Sequence, residues 1–400
     1  MKLTTRLQLM LMMFLMFVTW GAWYGQMGKY LFVELKATGD QIGNAYTTFS
    51  IASIIAPFFV GLIADRYFSA QKVMGVLNLL GAVILYFLTL NTDADAFFWY
   101  ILAYTLTFAP NLALSSSIAM NQMENPEKEF PSIRVMGTIA WIVITNLIGF
   151  YGVGDKVTIF QISMATSIIW GVFAFFLPDT PPKASSNSSL SQILGTDAFV
   201  LFKDRSFLIF FISSVLVCIP LAFYYAHANL SLTESNMTNV ENKMSLGQVS
   251  EVLFMLLIPF ALSRFGIKKM LIVGLIAWIV RFICFGYGDG ISSEWMLYLA
   301  IILHGVCYDF FFVTGQIYTD TKAGEKIKSS AQGLITLATY GIGMGIGSKL
   351  SGLVLDKYTS TVDGVTKHDW TSVWLVPAGI AAVVLVLFVI AFKDNKVKAS

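Results

Sequence analysis

Charged side chains are what this chain has least of. They make up 12% of its 400 residues, about half the share carried by an ordinary soluble domain. Hydrophobic residues make up 56%, and the mean hydropathy is +0.71. One soluble core does not hide that much apolar surface, so lipid is the natural solvent. The net charge is only +2, and no Lys/Arg patch interleaved with aromatics occurs, which argues against a nucleic-acid partner. Cysteine is also scarce. Cys218, Cys284 and Cys307 all fall in apolar stretches, so they read as small core residues rather than a disulfide framework. No catalytic triad, metal-ligand spacing or phosphate loop is present, so neither an enzyme nor a bound cofactor is expected. Gly341, Gly343, Gly345 and Gly347 follow no strand. They read as small-xxx-small pairs for close helix packing rather than as a dinucleotide motif.

Long apolar runs fill the space that charge leaves. A spanning helix needs about 20 mostly apolar residues. That length predicts twelve helices, at 7–33, 41–64, 70–90, 96–120, 131–153, 157–177, 206–232, 246–264, 267–287, 294–319, 327–354 and 370–392. The period-two alternation of a membrane barrel is missing. Lys2 and Arg6 precede the first run as in a signal peptide, but the run continues to Val33 without a convincing small-residue cleavage site, so an uncleaved first helix is expected.

With both termini cytoplasmic, 17 of the 26 Lys and Arg residues lie on the inner side and five on the outer, a positive-inside pattern. The connection from Pro178 to Arg205 contains Pro181-Pro182 and the run Ser185-Ser186-Asn187-Ser188-Ser189, a flexible polar linker. It divides the chain into six-helix halves, 1–177 and 206–400, around a linker at 178–205. Basic turns after the second helix (Asp65, Arg66) and the eighth (Arg264, Lys268, Lys269) suggest an internal repeat. Asp65 and Arg66 are expected to act as a gating latch at the inner face.

Helical spacing sorts the polar groups inside these runs onto faces. Arg134, Thr138 and Trp141 share one face of the fifth helix. Gln248 and Glu251 are neighbours on the eighth. His304 and Tyr308 are neighbours on the tenth, with Asp309 about 100° round from Tyr308. Thr19, Trp23, Gln26 and Tyr30 form a stripe on the first helix; Tyr104, Phe108, Asn111 and Ser115 form one on the fourth. Both stripes are read either as packing or as solute contacts. Tyr224, Tyr225 and His227 lie on the seventh helix. Glu251 and Asp309 are the most telling residues, because intramembrane carboxylates are costly and usually face a cavity or a partner. Arg281 is left without a role.

These residues carry a resemblance. The chain is similar to the nucleoside:proton symporters of the major facilitator superfamily over nearly its whole length. The most specific blocks are Trp20-Gly-Ala-Trp23, Gly61 to Arg66, the nine residues Phe130 to Thr138 and Gln248-Val-Ser-Glu251, with further matches at Ile258 to Gly266, Ala277 to Phe282, Tyr308-Asp-Phe-Phe311 and Ser330-Ala-Gln-Gly333. The resemblance implies an all-α fold of twelve transmembrane helices in two six-helix halves. It also implies a nucleoside site using Arg134, Thr138, Gln248 and Glu251, with Asp309 in transport and aromatics at Trp141 and Tyr308. Two departures from the family pattern stand out: His304 replaces a tyrosine, and Leu221 and Tyr224 replace a polar pair.

The expected activity is proton-coupled uptake of a nucleoside across the bacterial inner membrane by alternating access, by a monomer surrounded by lipid. The proton is the coupling ion, carried by Asp309 or Glu251. Aromatic faces can stack a base, and Gln248 and Glu251 can bond hydroxyls or base edges. Two alternatives stay open: symport of a sugar or other polyol, and a solute sensor that does not transport.

Overall fold

In lipid every backbone N–H and C=O must be satisfied within the segment, which for this composition means helices. The computed structural model describes residues 2–59, 67–182 and 196–393, and they are overwhelmingly helical. The first run is interrupted: α1 spans Leu3–Gly21 and resumes at Met27–Val33 after a short irregular stretch. Then come α2 (Gly39–Phe59), α3 (Ala70–Thr89), α4 (Ala94–Asn121), α5 (Pro126–Tyr151) and α6 (Thr158–Ala174). A 3₁₀ segment, Thr196–Lys203, leads into α7 (Arg205–Glu234). The helical stretch Val240–Tyr287 is broken at Gly266, whose φ of 74° leaves the helical region, giving α8 and α9. A second break at Gly324 separates α10, which begins at Glu294, from α11, which ends at Lys357. The last helix, α12, is Trp370–Ala391. Among the described residues this gives twelve helices at the predicted places. Eight helical stretches among the described residues are long and apolar enough to cross a membrane, with α8 and α9 counted as one.

Local signals set several boundaries. Asp93, Asp204 and Asp369 each sit at a helix N-cap and accept from backbone N–H groups of the first turn. Between α11 and α12 the chain forms a hairpin absent from the sequence reading, Thr359–Val362 paired with Val365–His368. Asp363 and Gly364 make its turn, both at positive φ.

Two compact units emerge. One holds residues 1–189 with 225–230 and 239–245; the other holds 190–224, 231–238 and 246–400. In the first, α3 packs on α4 and α6, α1 on α5 and α6, and α2 on α4. In the second, the glycines of α11 do what their spacing implies. A methyl group at Gly343 would lie 2.5 Å from the Val215 carbonyl oxygen, and one at Gly347 would lie 2.7 Å from the Ile219 Cα, so α11 lies directly on α7. Outward positions such as Leu256, Phe260, Val383 and Ile390 are each more than 60% exposed, the apolar shell expected of a protein solvated by lipid.

Candidate functional site

In the first unit, α5 presents Arg134, Thr138 and Trp141. The Arg134 guanidinium lies 4.3 Å from the centre of the Phe17 ring, and the residue is exposed. Trp141 stands edge-on to Trp20 at 5.6 Å. Trp20 also stacks on Phe49 and touches Phe17, Tyr24 and Phe108, so this unit carries an aromatic wall beside an arginine. The two stripes that sequence left open are buried packing. Thr19, Trp23, Gln26 and Tyr30, and Tyr104, Phe108, Asn111 and Ser115, are all at most 3% exposed. Trp23 meets Tyr104 edge-on, and Ser163 joins the Tyr104 hydroxyl to the Thr19 carbonyl. Lys29, a charge within the first predicted span, pairs with Glu241 of the same unit at 3.0 Å.

In the second unit, α8 and α10 approach closely because Gly247 and Gly305 lack side chains. A methyl group at Gly305 would run into the Ser250 backbone. The Ser250 hydroxyl accepts from the Gly305 N–H and donates to the Ile302 carbonyl, fixing the register of the two helices. That register brings Glu251 and His304 together, with Glu251 Oε2 3.7 Å from His304 Nε2. The rings of Tyr224 and Tyr308 flank His304 at 5.3 and 5.7 Å. Gln248 and Glu251 are half-buried, so both keep a face open. Tyr308 lines a small cavity of about 40 Å³ with Phe312, Gln316, Gln332, Thr336 and Tyr340.

Asp309 is fully buried, and among the described residues neither carboxyl oxygen has a hydrogen-bond partner. It opens a π-helical turn, Asp309–Val313, in which the Thr314 hydroxyl reaches back to the Asp309 carbonyl. Such widened turns are often found at functional positions. An ionised carboxylate so placed lacks both water and partner, whereas a protonated one avoids most of that cost.

Sequence reasoning missed Arg281. It is fully buried on α9, its guanidinium carbon stacks 3.8 Å over the Tyr224 ring, and Nη1 reaches His304 Nδ1 at 3.0 Å. The signal was there, an arginine in the middle of an apolar run, but no spacing rule linked it to α7 and α10. Asp65 and Arg66 lie outside the described residues. Among the described residues no group of three or more His, Cys, Asp or Glu side chains could hold a metal ion.

A family model described as nucleoside H+ symporter matches residues 1–397. The chain is 42% identical to the "Putative nucleoside transporter YegT" of Escherichia coli K12, an alignment covering 100% of this chain and 96% of that protein. It is 34% identical to the nucleoside permease NupG of the same organism, covering 98% of this chain and 97% of that protein. The crystal structure of the nucleoside transporter NupG matches with a TM-score of 0.88 at 34% identity, over 98% of this chain and 100% of the other.

Proposed function

The chain belongs to the nucleoside:H+ symporter family, an integral membrane protein with the major facilitator fold, and from that premise we propose that it takes up nucleosides with protons by alternating access. One observation carries the reading: a cluster able to recognise a flat, hydroxylated, uncharged solute adjoins a buried carboxyl that has no hydrogen-bond partner among the described residues. In this account Tyr308 of the second unit offers an aromatic face to a base, and Gln248 and Glu251 supply hydrogen bonds to base edges and ribose hydroxyls. Tyr224 and His304, expected from the sequence to touch the solute, are buried and engaged by Arg281, so they support Glu251 instead. In the first unit Arg134, Thr138 and Trp141 are the candidate solute contacts. Asp309, next in sequence to Tyr308, takes the proton.

The coupling follows from charge. A buried carboxylate resists movement through an apolar bundle, and its neutral form does not. Protonation from one side and release to the other therefore ties the conformational cycle to the proton gradient. A membrane potential of ~100 mV supplies about 2.3 kcal/mol per charge. At about 1.4 kcal/mol per tenfold, that supports roughly 50-fold accumulation before any pH gradient is added. The proton is the coupling ion. The excess of basic residues on one set of loops supports a location in the inner membrane with both termini cytoplasmic. One chain already holds both six-helix halves, which supports a monomer in lipid.

The test is labelled-uridine uptake into proteoliposomes in the presence of competitors. The account expects unlabelled nucleosides to block uptake and hexoses to leave it unchanged. Block by hexoses alone would replace the nucleoside with a sugar, and binding without uptake would make the protein a sensor.

A further inference from the structure

We propose that Arg281 is a positioning residue that fixes the tautomer of His304, turning its Nε2–H toward Glu251 and so holding that carboxylate ready for the solute. The inference rests on the reading of Glu251 as a solute contact, but its first readout does not depend on transport.

A guanidinium has only N–H donors and stays protonated in proteins. Arg281 Nη1 stands 3.0 Å from His304 Nδ1, so Nδ1 must accept. The ring proton of the neutral imidazole then sits on Nε2, the nitrogen that faces Glu251 Oε2 at 3.7 Å. The order of charges is cation, neutral imidazole, carboxylate, joined through one ring. Arg281 is held for this task from several sides. Its guanidinium lies over Tyr224, with the Trp278 and Phe285 rings at 5.5 and 5.4 Å, and Nη1 also reaches the Cys307 sulfur at 3.6 Å.

Among the described residues no carboxylate forms an ion pair with Arg281 and no hydrogen-bond partner reaches its Nε or Nη2. A fully buried cation left so incompletely satisfied is expensive. A packing role alone does not explain an arginine here, because an apolar side chain would fill the space at lower cost. The groups around His304 are Arg281 from α9, Glu251 from α8, Tyr224 from α7, and Tyr308 and Cys307 from α10, with Asp309 beyond Tyr308.

The experiment is ¹⁵N correlation spectroscopy of histidine-labelled protein in nanodiscs at pH 8, where an imidazole is neutral. The chain has three histidines, so the signal that His304→Gln removes identifies the residue. The expected spectrum shows a single Nε2–H tautomer for His304, kept in Arg281→Lys and mixed in Arg281→Met. Uridine uptake should show a KM about tenfold higher in Arg281→Met with the maximal rate within about twofold of the wild type, and Arg281→Lys should recover most of the loss. An Nδ1–H tautomer in the wild type, or a spectrum unchanged in Arg281→Met, overturns the proposal. Should Arg281→Met fail to fold, the wild-type and Arg281→Lys spectra still decide it. A correct tautomer in a protein that ignores nucleosides keeps the positioning role and discards the functional reading.

Discussion

The Tyr308 hydroxyl lies 3.0 Å from the Tyr340 hydroxyl. Tyr308 immediately precedes the π-helical turn of α10, and Tyr340 lies within the corresponding turn of α11, Leu337–Gly343. The pair therefore ties two locally widened helices together at the wall of the cavity. A neutral hydrogen bond of this kind is worth about 1 kcal/mol. A double-mutant cycle of Tyr308→Phe and Tyr340→Phe, read as KM for uridine, should give a coupling energy of about 0.5–1.5 kcal/mol. Strict additivity would mean the two hydroxyls act independently on the solute.

The approach of α8 to α10 is set by Gly305, so its substitution should act on the site from a distance. Gly305→Val places side-chain atoms where the Ser250 backbone stands. Overpacking of this kind costs about 1–3 kcal/mol, and separating the helices parts Glu251 from His304. The expected outcome is a lower melting temperature in detergent and a higher KM. Ser250→Ala removes the hydroxyl bridge but adds no bulk, so it should lower stability less and leave KM closer to the wild type. A Gly305→Val protein with unaltered KM would show that the Glu251–His304 contact does not matter for binding.

At the start of α7, Asp204 accepts from the Ser206 and Phe207 N–H groups and pairs with Lys322. Partial burial works against its charge, but Lys322 and the two backbone donors outweigh it and hold the carboxyl below its ordinary value. A carboxylate depressed on folding stabilises at pH values above its ordinary one near 4, and the contribution is lost as the pH falls through the depressed value. Asp204→Ala should cost about 1 kcal/mol at pH 7 through the lost cap. Asp204→Asn, which can still cap, should cost less. Both differences should shrink on acidification below about pH 4, as measured by unfolding midpoints. A penalty for Asp204→Asn that grows on acidification would contradict the assignment.

The helices were legible because lipid imposes one rule on every span: length and apolarity suffice. Gly266 and the polar stretch before Gly324 marked the ends of α8 and α10 for the same reason. The Asp363-Gly364 hairpin was missed because attention to apolar runs passes over a short polar loop, although Asp-Gly is a turn signal in its own right. Face assignment succeeded where residues share one helix, as for His304 and Tyr308. It could not separate packing from exposure, so the α1 and α4 stripes became clear only once Trp23 met Tyr104 and Ser163 met Thr19. Arg281 was unreadable for a related reason. Its partners lie on α7 and α10, and helical periodicity carries no information about contacts between helices.

The most direct measurement follows the proton. Proteoliposomes loaded with a pH-sensitive dye, without an imposed gradient, are given external uridine. The account predicts acidification of the lumen that depends on uridine and is absent in Asp309→Asn, a variant that should still exchange labelled uridine for unlabelled. Uridine entry into wild-type vesicles without any change in lumenal pH would contradict proton coupling outright.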